Sequence, residues 1–151
     1  MSWDGIFQFA FRRSLIPAMK GLASQLGEEK LVGMLQECSS ETARKGMAQR
    51  PPGNRDFATW VGNMKATPPL FQHALAFEIV EDTPKAFEFR ISKCLWAKTF
   101  RDGDAAAIGY ACICHPDFAV ASAFNPKLKL IRTKTLMQGH DCCNHRYVME
   151  T

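Results

Sequence analysis

Six cysteines occur in this chain, Cys38, Cys94, Cys112, Cys114, Cys142 and Cys143, and five of them follow residue 93. A thiolate is both a soft metal ligand and a nucleophile, so thiols grouped with imidazole and carboxylate point to one of two chemistries. Two such groupings stand out. In Cys114-His115-Pro116-Asp117 a thiol and a carboxylate lie three residues apart and can share one face of a turn. In Gly139-His140-Asp141-Cys142-Cys143-Asn144-His145, two imidazoles, an acid and two thiols surround a turn. Either grouping offers ligands for a zinc-like ion, and either offers an activated nucleophile. The spacing is not that of a zinc ribbon, because no Cys-x-x-Cys pair is present.

Geometry narrows each cysteine pair. Cys-x-Cys on a helix sets its thiols on opposite sides, and adjacent cysteines on a strand point to opposite faces. Each pair therefore supplies one inward thiol, and Cys112 and Cys142 are expected to be the outward members. Cys38 and Cys112 read as small buried hydrophobes.

The elements that must position these groups fall into two parts. Residues 1–73 read as helical. Leu15, Met19, Leu22 and Leu26 recur at helical spacing, with Ser14 as N-cap and Gly27 as a stop. A second helix runs from about Glu28 to Gln49, and Arg50-Pro51-Pro52-Gly53-Asn54 is the clearest break. Asn54 is expected to cap a short helix to about Lys65, which Pro68-Pro69 ends. Residues 74–151 change character. Leu75, Phe77 and Ile79, then Phe87, Phe89 and Ile91, alternate with other residues about a Thr83-Pro84 turn, predicting an antiparallel hairpin with one buried face. Helical stretches follow from Cys94 to Arg101 and from Asp104 to about Cys114. Pro116 disfavours helix at His115, so a new helix is expected from Pro116 to Ala123. Lys127 to Met137 and Cys143 to Glu150 read as a second hairpin joined around Gly139, with Cys143, His145 and Tyr147 on one face. The fold class is α+β in a single domain: N-terminal helices packed on an antiparallel sheet of ββ-αα-ββ order, the second part carrying the site.

Composition sets the surroundings. The 151 residues suffice for one domain with a real core, and the net charge of +4 is spread along the chain. Without a concentrated basic stripe, nucleic acid is not an expected partner. No apolar run reaches the roughly eighteen residues of a membrane span, so no membrane is expected either. Arg12 and Arg13 interrupt the first apolar run, making a poor signal peptide and a cytoplasmic reading, in which the cysteines stay unpaired. The expected partners are a small-molecule substrate and a second copy of the chain, a homodimer formed around Trp3, Phe7 and Phe11.

The runs Cys94-Leu95-Trp96-Ala97-Lys98, Ile108-Gly109-Tyr110 through Cys114-His115-Pro116-Asp117-Phe118, Phe124-Asn125-Pro126, and Thr133-Lys134-Thr135-Leu136-Met137-Gln138-Gly139-His140-Asp141-Cys142-Cys143 resemble the L-2-amino-thiazoline-4-carboxylic acid hydrolase family. The likeness covers roughly residues 75 to 150 well and the helical half more loosely. His140 stands where an acid is common in the family. More distantly, the cysteine order resembles 4-vinyl-reductase-type domains, which are ligand or metal sensors. The first resemblance implies hydrolytic opening of a cyclic amidine-type ring that bears a carboxylate. Cys143 or Cys114 would attack, and Asp117 or His145 would move protons. Lys98, Arg132 or Lys134 would hold the carboxylate. Alternatively a divalent metal, zinc or manganese, held among Cys94, Cys114, Cys143, His140 and Asp141, would activate water. The rival class is a non-enzymatic sensor domain using the same cysteines to hold a metal or small ligand.

Overall fold

The structure, a computed structural model, describes residues 2–66 and 69–151. The chain begins in one helical run, 3–26, made of α1 (Trp3–Ala10), a π-helical turn (Phe11–Leu15) and α2 (Ile16–Leu26). Ser2 caps it, its hydroxyl accepting from the Gly5 N–H at 3.1 Å. Ser14 is therefore interior, and its hydroxyl donates back to the Ala10 carbonyl. A hydroxyl placed before an apolar repeat looks like a cap, but the helix had already started at Trp3, about three turns earlier. Gly27, at φ 89°, ends the run as expected.

Helix α3 (Glu28–Ala48) follows and then α4 (Phe57–Lys65). The cap of α4 is Asp56, whose carboxylate accepts from the Thr59 N–H at 2.8 Å, while Asn54 braces Asp56 from outside the helix. A short α5 (Pro69–Ala74) leads directly into the sheet. Of the expected Pro68-Pro69 stop, Pro68 lies outside the described residues.

Strands β1 (Leu75–Asp82) and β2 (Ala86–Cys94) form the first hairpin, and β3 (Leu128–Ile131) with β4 (Cys143–Met149) the second. β2 and β4 pair antiparallel, giving the order β1-β2-β4-β3 and the α+β architecture expected. Glu81, Glu88, Arg90 and Arg146 make ion pairs on one face, and the helices pack on the other. β1 departs from expectation. Its apolar residues Phe77 and Ile79 are 38% and 45% exposed, because β1 is an edge strand whose inner face looks onto a cavity rather than a core.

Between the hairpins lie α6 (Leu95–Asp102), α7 (Ala106–Gly109), a π-helical turn (Tyr110–Cys114) and α8 (Pro116–Phe124). The expected break before Pro116 does not form. His115 keeps helical angles, and its N–H donates to the Tyr110 carbonyl at 2.8 Å, five residues back. Proline has no N–H to give the carbonyl four residues earlier, and the widened turn absorbs that defect without stopping the helix. The run 106–124 is long and apolar enough to cross a membrane by length and composition. A third of its apolar stretch is buried within the chain, Ala111 and Ala121 fully.

Two apolar cores result. One joins Met47, Trp60, Phe87, Phe124, Leu128 and Tyr147, and the other joins Ile16, Leu31, Phe100, Ile108 and Met137. Gly109 sits at the tightest point of the second. A Cβ there would lie 2.6 Å from Phe100 Cγ and 2.7 Å from Met137 Sδ, so only glycine allows this approach.

Candidate functional site

Between the two cores lies a cavity of about 470 Å³, lined by members of both. The register of β2 against β4 builds its floor. Phe87, Phe89 and Ile91 face Tyr147, His145 and Cys143, so period-two alternation brings all six side chains to one face. Cys143, His145 and Tyr147 are buried together there, as the alternation predicts. The π-helical turn lowers Cys112, Ile113 and Cys114 into the wall, and Asp117 follows on the first turn of α8. Cys94 closes the far end of β2, where its sulfur caps α6 by accepting from the Ala97 N–H at 3.4 Å.

The polar groups gather at one end around Arg132. Its guanidinium donates to Asp117 Oδ2 at 2.7 Å and to the Cys114 carbonyl at 2.9 Å, and it lies 3.2 Å from His145 Nε2. The Phe118 ring lies 4.8 Å from the guanidinium carbon, and the side chain is 1% exposed. Burial pulls the Arg132 pKa down, but Asp117, Tyr110 and Cys114 together more than offset this and raise it, so the group stays charged. His145 lies flat on Phe89, ring centres 4.9 Å apart, and its Nε2 is 3.4 Å from Asp117 Oδ2. Its Nδ1 and Trp60 Nε1, both on cavity-lining residues, are buried without a hydrogen-bond partner among the described residues. A buried polar atom left unpaired costs about 1–3 kcal/mol, which a bound group or water would relieve.

Cys94, Cys114 and Cys143 all line this cavity and are close enough to influence one another's ionisation. Burial pushes the Cys114 thiol up to about 12, despite Arg132, and that of Cys143 up to about 11, despite the Leu136 N–H that its sulfur accepts at 3.1 Å. Cys94 is raised for the same reason. Near neutrality these groups are thiols, with about one in ten thousand or fewer ionised for Cys114 and Cys143.

Other expected site residues lie elsewhere. Lys98 is half exposed and pairs with Asp102 at 2.6 Å on α6. Lys134 pairs with the exposed Asp141 at 3.1 Å, and His140 Nδ1 bonds the Thr135 backbone at 3.2 Å. All four belong to local structure and do not line the cavity. The expected metal donor set is not assembled: among the described residues no three His, Cys, Asp or Glu side chains are arranged to hold an ion. His140 and Asp141 have turned onto their own loop. Cys112 does line the cavity, contrary to the expectation that it faces away, because the π-helical turn departs from α-helical rotation. Cys142 is buried and lies outside the lining.

Sequence reasoning missed the apolar wall from the N-terminal half, which supplies Trp60, Met64 and Phe71. That half was expected to be scaffold or dimer surface. Phe7 and Phe11, expected at a dimer contact, are half-buried and make contacts within the chain. Phe7 packs edge-on against Trp96 at 5.3 Å, and Phe11 against Phe100 at 5.8 Å. One signal was available for Arg132. Leu128, Leu130 and Arg132 continue a single inward phase, so a charged residue on the buried side of a strand pattern marks a buried ion pair.

No curated protein matches the chain. Among solved structures, it is similar to the phenol-responsive sensory domain of the transcription activator PoxR, crystallised with phenol. The TM-score is 0.57 at 15% sequence identity, covering 91% of this chain and 74% of that one. At that identity the likeness shows a shared fold. The family model for L-2-amino-thiazoline-4-carboxylic acid hydrolase matches residues 8–147, which take in β1 to β3, most of β4 and every group around Arg132. The chain belongs to the L-2-amino-thiazoline-4-carboxylic acid hydrolase family.

Proposed function

We propose that this chain hydrolyses a small cyclic amidine-type ring, with the reaction at the Asp117–Arg132–His145 end of the cavity. The observation that carries this reading is the convergence of an acid, a buried cation, an imidazole and three thiols on one end of an otherwise apolar chamber. Family membership supports a hydrolase; substrate and mechanism are our inference. Cys114 and Cys143 are held protonated, so water is the better nucleophile. It adds to the ring carbon between nitrogen and sulfur while His145 takes its proton, and Asp117 orients and shares that proton. Arg132 holds Asp117 in place. Collapse of the adduct breaks one ring bond at that carbon. The oxygen of water becomes the carbonyl of a carbamoyl group; of its two protons, the one His145 took passes to the ring nitrogen and the other leaves the adduct hydroxyl for the departing atom. A buried thiol such as Cys143 can supply a hydrogen bond to the departing atom.

Incubating the full chain with 2-amino-thiazoline-4-carboxylate and with 2-amino-thiazoline tests the reading. The expected result is a carbamoyl product by mass spectrometry, reduced about 10²-fold or more by His145→Gln. Absence of product from both compounds would sink it. The second reading, a ligand-binding sensor, is favoured by the size and apolar lining of the cavity, and it predicts binding without turnover. Its relevance also draws on the fold shared with a phenol-responsive sensory domain.

A further inference from the structure

We infer that the physiological ligand is a carboxylate-free ring compound with an apolar body about two fused rings in size. The inference rests on the proposed site but not on the proposed reaction. Volume is the first observation. A cavity of roughly 150 Å³ accommodates one benzene-sized ring, and this one measures about 470 Å³. A single five-membered ring would leave most of it to water.

The lining is the second observation. Beyond the polar end, the walls are Trp60, Phe77, Phe87, Phe89, Ile91 and Trp96. Phe71, Phe77 and Ile79, 40%, 38% and 45% exposed, stand where the chamber meets solvent. Water gains little against such walls, whereas flat apolar rings gain both buried area and ring contacts.

Charge is the third. A bound carboxylate needs an unspent cation, because a buried unpaired charge is costly. The described lining holds one arginine and one lysine, Arg132 and Lys65, and each is already paired. Arg132 is committed to Asp117 and the Cys114 carbonyl, and Lys65 forms an ion pair with Asp82 at the end of β1. The other cations expected to receive a carboxylate, Lys98 and Lys134, lie outside the chamber. A carboxylate at the buried end would have to compete with Asp117 for Arg132, and one at the mouth with Asp82 for the half-exposed Lys65; a neutral polar atom can instead use the unpaired His145 Nδ1 or Trp60 Nε1 and needs no cation.

The test is equilibrium binding to the full chain, read by tryptophan fluorescence because Trp60 and Trp96 line the cavity. Three probes separate size from charge: 2-aminobenzothiazole, its ring-carboxylated derivative, and 2-amino-thiazoline-4-carboxylate. The expected order places 2-aminobenzothiazole roughly tenfold or more tighter than either carboxylate. Equal or tighter binding of a carboxylate, or no binding of 2-aminobenzothiazole, overturns the inference. Val120→Trp, which fills space in the wall, should weaken 2-aminobenzothiazole at least about tenfold. Unchanged binding by a folded Val120→Trp protein would place the probe elsewhere and overturn the inference as well. If that variant does not fold, the three-probe order decides alone. Tight 2-aminobenzothiazole binding with no ring hydrolysis leaves this inference standing while the hydrolase reading fails. Turnover of a tightly held carboxylate does the reverse.

Discussion

Two polar clusters, both rich in the residue types of active sites, lie within forty residues of each other in sequence yet behave differently. Cys114, Asp117, Arg132 and His145 come from the π-helical turn, α8, the segment after β3, and β4, and they close on a shared cavity. Lys134, His140 and Asp141 lie on the connection from β3 to β4 and Asn144 lies on β4 itself, and they bond one another or that same connection. Asn144 Oδ1 accepts from the Thr133 and Lys134 N–H groups at 3.0 and 2.7 Å, and His140 bonds Thr135. Density of titratable residues in sequence marks both. What separates them is the origin of their partners. A group satisfied by its own loop makes a turn, and a group satisfied across elements lies where a ligand can compete for it.

The sharpest way to break this contrast is Arg132→Leu. It leaves the partly exposed Asp117 without its partner and the Cys114 carbonyl without its donor, a loss of about 1–3 kcal/mol, below that of a fully buried pair. Denaturant unfolding should show a loss of that order, together with loss of ligand binding. Unchanged stability would mean that Asp117 is solvated and the site is not organised around Arg132.

Next in size is a pH effect. The Cys114 thiol is raised from an unfolded value near 9.0 to about 12. A raised pKa means that the folded chain keeps its proton where the unfolded chain has lost it. The contribution is therefore intact below about pH 9 and lost progressively as pH rises through about 12. Cys143, raised to about 11, acts in the same direction. Thermal unfolding should show stability falling above about pH 9, and Cys114→Ala should flatten part of that fall. Equal stability at pH 8 and pH 10.5 contradicts the buried-thiol assignment.

On the loop side, Asn144→Ala removes three hydrogen bonds that bind the connection to β4. We expect a stability loss of about 1–2 kcal/mol, with ligand affinity within twofold of the parent. A larger change in affinity than in stability would place this loop in the site. The smallest effect belongs to Lys134→Ala. Its pair with Asp141 is exposed to solvent, so neither unfolding nor ligand binding should change measurably. Loss of binding would reinstate Lys134 as a ligand-holding cation.

What the sequence determined by itself is what depends on short-range periodicity. Alternation of Phe87, Phe89 and Ile91 and of Cys143, His145 and Tyr147 dictates two strands, each with one apolar face, and placed three site residues together. Helical spacing and Gly27 dictate the first long helix and its end. The pairing of Cys114 with Asp117 follows from a three-residue spacing. Such signals are legible because each depends on neighbours a few residues apart, through sterics and hydrogen bonds that the chain carries with it. Tertiary structure decided everything that depends on who pairs with whom. Asp56 rather than Asn54 caps α4, the helix survives Pro116 by a π-helical turn, and Trp60 and Phe71 join residues more than seventy positions away as cavity wall. Whether Arg132 meets a substrate or Asp117, and whether His140 meets an ion or its own backbone, is settled only when distant elements dock. A buried charge takes the nearest partner that docking provides, and no local pattern names that partner in advance.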